Sequence, residues 1–410
     1  VRIFSEEYPK LIEFSELPGK EDKKELTYDD VLIECSDNNL KSKCKGILML
    51  LKEVFAKTSL DIGKSQDIKA HIEVDETKLK IQKKRPLIPE KQEFLYKIVR
   101  EMEEVGIVQE NCNGIHKMIS NIMLVPKNQQ KDNTKAGMRI ARHSGVKNES
   151  YRPTVDMSDL NKAIINVSKS VLPTPEEIFQ TLAGKVVSSV DLSNAYFTIE
   201  LSEESKKYCN FYVGTKIFTF NRLVQGLVSA PSQFLYLMNR IFSNTALDNV
   251  RSQINRKYLK YVPKSFDEIV TFYMDDIYIH SNDNISHLTH IYCVLKALVL
   301  GNMKVSPAKS KLFAKSLKVL GIDMSPEQSM MALDKVKASA ILNWPKPDSL
   351  YTLQSRLYGL NYFSSFIPHL QEVAYPLINI MRTQKWKWGE LENEAWESVK
   401  TLIKLDIRNT

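Results

Sequence analysis

The sequence predicts an α+β fold. Helical and strand patterns are interleaved with hairpins and do not alternate as regular βαβ units. Amphipathic stretches with recognisable caps recur along the chain. Short apolar runs end at turn residues, as half-buried strands do. The 410 residues are 43% hydrophobic and 26% charged, which is ample for buried cores. At roughly 100–200 residues per domain, about two to four domains or subdomains are expected.

The elements are legible in order. Residues 1–45 carry eleven acids against eight bases with weak periodicity, and read as a loosely structured acidic lead-in. IPEKQEFLYKIVREMEEVG (88–106) predicts a helix with Phe94, Ile98, Met102 and Val105 on one stripe. Pro89 suits its first turn and Gly106 its C-terminal cap. KAGMRIARHSGVKNES (135–150) reads as a basic surface loop. TPEEIFQTLAG (174–184) opens with Thr174, Pro175 and Glu177, the pattern of a capping box. VVSSVDLSNAYFTIEL (186–201) reads as strand, break, strand. APSQFLYLMNRIF (230–242) is helical, with Phe234, Met238 and Ile241 aligned. SLYTLQSRLYGL (349–360) is helical, with a stripe of Leu350, Leu353, Leu357 and Leu360.

Several classes are disfavoured. The five cysteines are scattered with no C-x-x-C pair, so neither a disulfide framework nor a zinc site is expected, and a reducing compartment fits. No apolar run reaches the roughly 18 residues of a membrane span. The first ten residues lack the apolar core of a signal peptide and do not start with Met, so a piece of a longer product is expected. A net charge of +8 suits a polyanionic partner. More than half of that excess falls within 127–169, where nine bases face four acids.

Within EIVTFYMDDIYIHS (268–281), two apolar strands flank Met274, Asp275 and Asp276. Adjacent carboxylates at a hairpin tip repel one another, and a hard divalent cation such as Mg²⁺ relieves the repulsion. A third carboxylate, Asp191, ends the apolar run VVSSVD. If these strands are neighbours, three carboxylates converge. Two ions held there would stabilise the attacking and leaving oxygens of an in-line displacement. Successive strand residues face opposite ways, so one of Asp275 and Asp276 should face Asp191 more directly.

YMDD between apolar strands, with VDLSNAYFTIEL upstream, resembles the reverse transcriptases of retroviruses and LTR retrotransposons, the gypsy-type polyproteins in particular. LKEVFAKTSLDIG, HIEVDETKLKIQKKRPLIP and VGIVQENC resemble the lead-in of those proteins. LVPK (124–127) and YRPTVDMSDLNK (151–162) resemble the fingers. LVQGLVSAPSQFLYLMNRIF (223–242), KVSPAKSKLF (304–313) and VLGIDMS (319–325) resemble the palm and primer-gripping hairpin. LDKVKASAILNWPKP and LQSRLYGLNYFSSFIPHLQEVAYPL resemble the thumb. The resemblance spans about 50–405.

The resemblance implies a right-hand polymerase. Residues 1–80 would be the lead-in, 81–185 the first part of the fingers, 186–325 the palm and 326–384 the thumb. Residues 385–410 would begin a connection to an RNase H domain. It implies RNA-directed DNA synthesis on an RNA or DNA template from dNTPs. Two Mg²⁺ ions, with Mn²⁺ as a substitute, would be held by Asp191, Asp275, Asp276 and the Leu192 main chain. Tyr196 would exclude the 2′-hydroxyl, and Asn194 and Ala195 would offer backbone N–H groups to the triphosphate. Lys127 and Arg152 would close on it from the fingers, across a spacing longer than the family's. Gln225 and Met274 would lie near the nucleotide, Val224 standing where the family has Pro. Lys309, with Lys311 as competitor, would give a proton to pyrophosphate. Tyr273, Leu320, Gly321, Gln354 and Arg356 would contact primer and template.

Partners implied are template–primer and dNTPs, with a tRNA or other RNA primer and a dimer left open. No membrane partner is implied. The expected compartment is the cytoplasm, in a virus-like particle or replication complex, with the nucleus as alternative. No D-[ST]-G protease, integrase zinc or RNase H motif occurs, so the chain should polymerise without degrading RNA. The link 243–268 is longer than the family's and basic in its middle. It reads as a surface insertion or a nucleic-acid or partner contact. The competing reading is a non-catalytic nucleic-acid-binding subunit of the same fold. An RNA-dependent RNA polymerase is disfavoured by Tyr196.

Overall fold

A computed structural model describes residues 25–408, apart from 66–67, 127–150, 166, 169–171, 320–321, 327–328, 334, 362–363, 365–366 and 368. Among described residues the chain forms two compact units, one of 25–172 with 188–313, the other of 173–187 with 314–408. The basic loop expected at 135–150 lies outside the described residues.

The larger unit is built on a five-stranded sheet in the order Leu32–Ile33, Lys311–Leu312, Val186–Asp191, Asp276–Ser281, Val270–Tyr273. The last two form the predicted hairpin, with Val270 opposite Ile279 and Tyr273 opposite Asp276. Helix Asn284–Leu300 packs on strand Asp276–Ser281. Asp283 starts this helix by accepting from the Ile285 and Ser286 N–H groups at 2.9 Å each. Its apolar residues extend round much of its circumference, because helices Asn38–Leu50, Ala230–Ile241 and Asn244–Ser252 pack against it as well. A second sheet runs Val108–Glu110, Lys216–Phe220, Asn210–Val213, Ile119–Ser120. Strands Ile122–Pro126 and Tyr151–Val155 form a separate hairpin.

Two expectations are corrected. The lead-in is ordered where it is described. Asp37 caps helix Asn38–Leu50, and Leu32–Ile33 pairs in parallel with Lys311–Leu312. Leu48, Leu51, Val54 and Phe55 are buried, and the Ala56 N–H donates to the Val305 carbonyl at 2.8 Å. The acidic composition misled because the few apolar residues of this segment meet partners some 250 positions away. The helix at 88–106 forms over Pro89–Glu104, but its buried face is Leu95, Ile98, Val99 and Met102. Val105 is exposed at the C-cap. The predicted stripe was rotated by about one residue.

The smaller unit holds the capped helix Pro175–Leu182, where both halves of the Thr174–Glu177 box form. It also holds a three-stranded sheet of Leu317–Val319, Ile322–Ser325 and Met330–Leu333. Its helical core gathers Leu353, Leu357 and Leu360 with Leu377, Ile380, Trp396, Val399 and Ile403. The terminal helix Glu390–Arg408 therefore shares the core of the preceding helices.

Phe55→Ala removes a ring that is 4% exposed, and is expected to cost about 3–5 kcal/mol in chemical denaturation. A loss below about 1 kcal/mol would mean that the N-terminal segment is an appendage.

Candidate active site

Asp275 and Asp276 begin where the hairpin turns. Met274 has φ +53° whereas neither aspartate has a positive φ, the φ pattern of a type II′ turn. Glycine usually fills that position, so a Met there costs about 1 kcal/mol and the surrounding packing must hold it. The turn is tied to the neighbouring strand by the Leu192 N–H, which donates to the Asp275 carbonyl at 3.2 Å.

The backbone of Asp191 is clamped by the segment 306–310. The Ser306 N–H donates to the Asp191 carbonyl at 2.8 Å. The Asp191 N–H donates to Ser310 Oγ at 3.2 Å, and Ser310 Oγ–H donates to the Ser306 carbonyl at 2.8 Å. The same turn carries Lys309, whose Nζ lies 3.7 Å from Asp191 Oδ2.

Burial raises all three carboxyls. It pushes Asp191 up to about 6, with Asp275 adding to the rise and Lys309 opposing it. Asp275 rises for the same first reason, opposed by its own backbone and by Lys309. Asp276 is exposed as a residue, yet crowding around its carboxyl, then the charges of Asp275 and Asp191, push it up to about 7. Asp275 acts on Asp191 and Asp191 acts on Asp276, so both members of the pair couple to it. The three feel one another, but among described residues no three His, Cys, Asp or Glu side chains form a ready-made metal cage. All the donors are hard carboxylate oxygens, the set that suits Mg²⁺.

Tyr196 lies in the turn Ala195–Thr198 that follows Asp191. It is 6% exposed, its ring 4.9 Å from that of Phe234. Burial raises its hydroxyl, with Asp275 and Tyr273 adding to the effect. Tyr196, Phe234, Phe272 and Met274 line one apolar pocket. Ala195 is buried. Asn194 adopts φ +45°, which Asn tolerates, and its Nδ2 donates to the Ser59 carbonyl. Its side chain is thereby engaged in holding the loop. Tyr273 is half-buried opposite Asp276, and burial raises its hydroxyl.

The remaining expected residues divide. Gln225 sits in a turn, partly buried, next to Gly226 at φ +87°. Lys311 lies on the strand beside Ser189, while Lys309 faces Asp191, which favours Lys309 of the two. Arg152 is opposite Val125 in its hairpin. Lys127, Leu320 and Gly321 lie outside the described residues. Gln354 and Arg356 belong to helix Leu350–Asn361 of the smaller unit. There the Arg356 guanidinium stacks on Trp344 at 5.2 Å, and its Nε is buried without a partner.

Sequence reasoning missed the braces of this site. The Ser193 N–H donates to the Lys304 carbonyl at 2.8 Å, Lys304 Nζ donates to the Glu53 carbonyl at 2.8 Å, and the Ser65 N–H donates to the Thr198 carbonyl at 2.9 Å. Backbone partners leave no side-chain signature. The insertion 243–268 folds into helix Asn244–Ser252 and two short turns, with Leu247, Val250 and Phe266 buried.

The family described as reverse transcriptase (RNA-dependent DNA polymerase) matches residues 126–324. The transposon Tf2-3 polyprotein of Schizosaccharomyces pombe is 25% identical over 261 residues, covering 63% of this chain and 18% of that protein. The Tf2-7 polyprotein of the same yeast is 26% identical over the same length. The chain thus spans under a fifth of the curated relatives it matches. The foamy viral protease–reverse transcriptase in complex with RNA/DNA hybrid aligns with a TM-score of 0.65 at 19% identity, covering 90% of this chain and 44% of that one. The dRH form in complex with double-stranded DNA reaches 0.71 at 18% identity, covering 96% and 62%. The polymerase fold expected from the sequence is therefore the fold of the chain.

The Asp191 carboxyl, 3.8 ordinarily and about 6 here, binds more protons folded than unfolded between those values. Stability must fall as pH rises across that window and stay lower above it. Asp191→Asn should therefore stabilise the metal-free protein by about 2–3 kcal/mol at pH 8, the gain shrinking toward about pH 4. Thermal denaturation in a chelator checks this. A destabilised variant at pH 8 would contradict it.

Proposed function

We propose that this chain is the polymerase of an LTR retroelement, extending a primer with dNTPs on an RNA or DNA template, because residues 126–324 match the reverse transcriptase family. The observation that carries the reading is the approach of Asp191 to the Asp275–Asp276 turn across adjacent strands, beside a buried Tyr196. The similar structures with RNA/DNA hybrid and double-stranded DNA support nucleic acid as the partner. The polyprotein relatives support the retroelement origin.

Asp191, Asp275 and Asp276, with the Leu192 carbonyl, would hold the divalent ions. When bound, such ions neutralise charge on the attacking and leaving oxygens. The chain's own residues do the rest. The clamp at Ser306 and Ser310 fixes where Asp191 stands. Tyr196, immobilised on Phe234, presents a wall under the sugar, against which a ribose 2′-hydroxyl would collide. Lys309 is close enough to Asp191 to keep a positive charge at the site, and would give a proton to departing pyrophosphate. Arg152 and Lys127 would reach the triphosphate from the hairpin and its continuation. Met274 would lie near the nucleotide, and Tyr273, Leu320, Gly321, Gln354 and Arg356 would contact primer or template. Residues 81–185, 186–325 and 326–384 would serve as fingers, palm and thumb. Its compartment would be the cytoplasm.

Primer extension on an RNA template with Mg²⁺ and dNTPs tests this. Wild type should extend, and Asp275→Asn/Asp276→Asn should lose at least about 10²-fold. Binding of template–primer with no extension by either protein would select the non-catalytic subunit. Tyr196→Ala should lower dNTP preference over rNTP by at least about tenfold, and an unchanged ratio would remove Tyr196 from the gate.

A further inference from the structure

Behind the carboxylate strands lies a run of buried polar side chains that the chemistry above does not use. His287 is fully buried in helix Asn284–Leu300. Its Nε2 is 2.8 Å from Ser188 Oγ and its Nδ1 is 2.7 Å from Ser281 Oγ. Ser281 Oγ is also 2.6 Å from His290 Nδ1, and His290 Nε2 is 3.1 Å from the Tyr261 carbonyl. At the other end the Phe313 N–H donates to Ser188 Oγ at 3.0 Å. The Phe313 ring meets the His287 ring edge-on at 4.9 Å.

The Tyr261 carbonyl at one end and the Phe313 N–H at the other, with both rings neutral, set the direction of the protons in this run. A carbonyl only accepts, so His290 Nε2 carries hydrogen. Burial holds His290 below the usual histidine range, against the pull of the Tyr261 and His280 carbonyls, so its ring is neutral near pH 7 and Nδ1 accepts. The Ser281 hydroxyl therefore donates to His290 and accepts from His287 Nδ1–H. Burial, with lesser contributions from His290 and His280, pushes His287 down to about 3, so it too is neutral and its Nε2 accepts. The Ser188 hydroxyl donates to that nitrogen, and its oxygen takes the Phe313 N–H. Each donor meets an acceptor, and such chains strengthen cooperatively.

We propose that His287 is a positioning residue for the carboxylate centre, fixing the strand that ends at Asp191 against the strand that starts at Asp276. Strand alternation supports this. Ser188 stands three residues before Asp191, and Ser281 five residues after Asp276. Odd separations put both serines on the face opposite the aspartates. The helix thus grips the two strands from behind, roughly 10 Å and 17 Å along them from the carboxylates. Mg²⁺ demands near-ideal geometry, so a small slide of one strand against the other would weaken its binding before it unfolded the sheet. This inference rests on the polymerase reading of the three carboxylates.

Ser188→Ala, His287→Leu and His287→Gln test it. Magnesium titrations of primer extension should show Ser188→Ala and His287→Leu needing about tenfold more Mg²⁺ for half-maximal rate. Half-saturating template–primer should change by less than about twofold, because most of its affinity comes from phosphate contacts spread along the duplex and not from the carboxylates. His287→Gln, which keeps one donor and one acceptor, should recover part of the loss. An unchanged Mg²⁺ requirement beside a lowered melting temperature would overturn the proposal. ¹⁵N-imidazole NMR needs no activity. It should find Nδ1–H on His287 and Nε2–H on His290, and any other pair of tautomers would overturn the chain. Were the wild type inactive, the polymerase reading would fail separately. Mn²⁺ affinity, read by electron paramagnetic resonance on wild type and Ser188→Ala, would then decide the positioning role. A weakened variant supports it, and equal affinities reject it.

Discussion

Three carboxylates kept near one another against their own repulsion are the constraint around which the larger unit is arranged. Burial raises each of them, and Lys309 offsets only part of the effect. Left to themselves the charges would spread into solvent. They are held because their backbones are fixed where the chain has no freedom to yield: a strained turn at Met274, a two-sided clamp on Asp191, and the Leu192–Asp275 link between adjacent strands. Stability is sacrificed locally for a site with unmet demand for positive charge, as expected of centres that bind cations and phosphates.

That demand explains why so much of the molecule backs the site. The segment 53–65 reaches in with carbonyls of Glu53 and Ser59 and the amide of Ser65. The turn 306–310 supplies two serines and a lysine. Helix Asn284–Leu300 contributes none of the three carboxylates, yet it packs behind the sheet and carries His287, which joins the two strands. Backbone and second-rank side chains set the positions, and a few acidic side chains carry the charge.

Much of this was legible in the sequence, and the limits have physical causes. The hairpin, the capped helix at Thr174 and the leucine stripe of Leu353, Leu357 and Leu360 were readable because their determinants are local. The aspartates were readable because charge at the end of an apolar run conflicts with burial. The ordered N-terminal segment was not readable, since Phe55 and Val305 meet across 250 positions and neither announces the other. The stripe of the first long helix was misplaced because Phe94 and Leu95 are both apolar, and only tertiary packing chooses between them. His287 gave no signal, because a histidine in an apolar helix looks the same whether it is idle or bonded at both nitrogens.

The two-residue strand Leu32–Ile33 has a bearing on solubility. It lies at one edge of the central sheet, in parallel with Lys311–Leu312. Short edge strands end a sheet without offering a long template for further pairing. Fragments cut after Ile33 would uncover Lys311–Leu312 as a raw edge, flanked by buried apolar side chains. Their aggregation would then reflect pairing at that edge, with the carboxylate strands still folded inside each molecule.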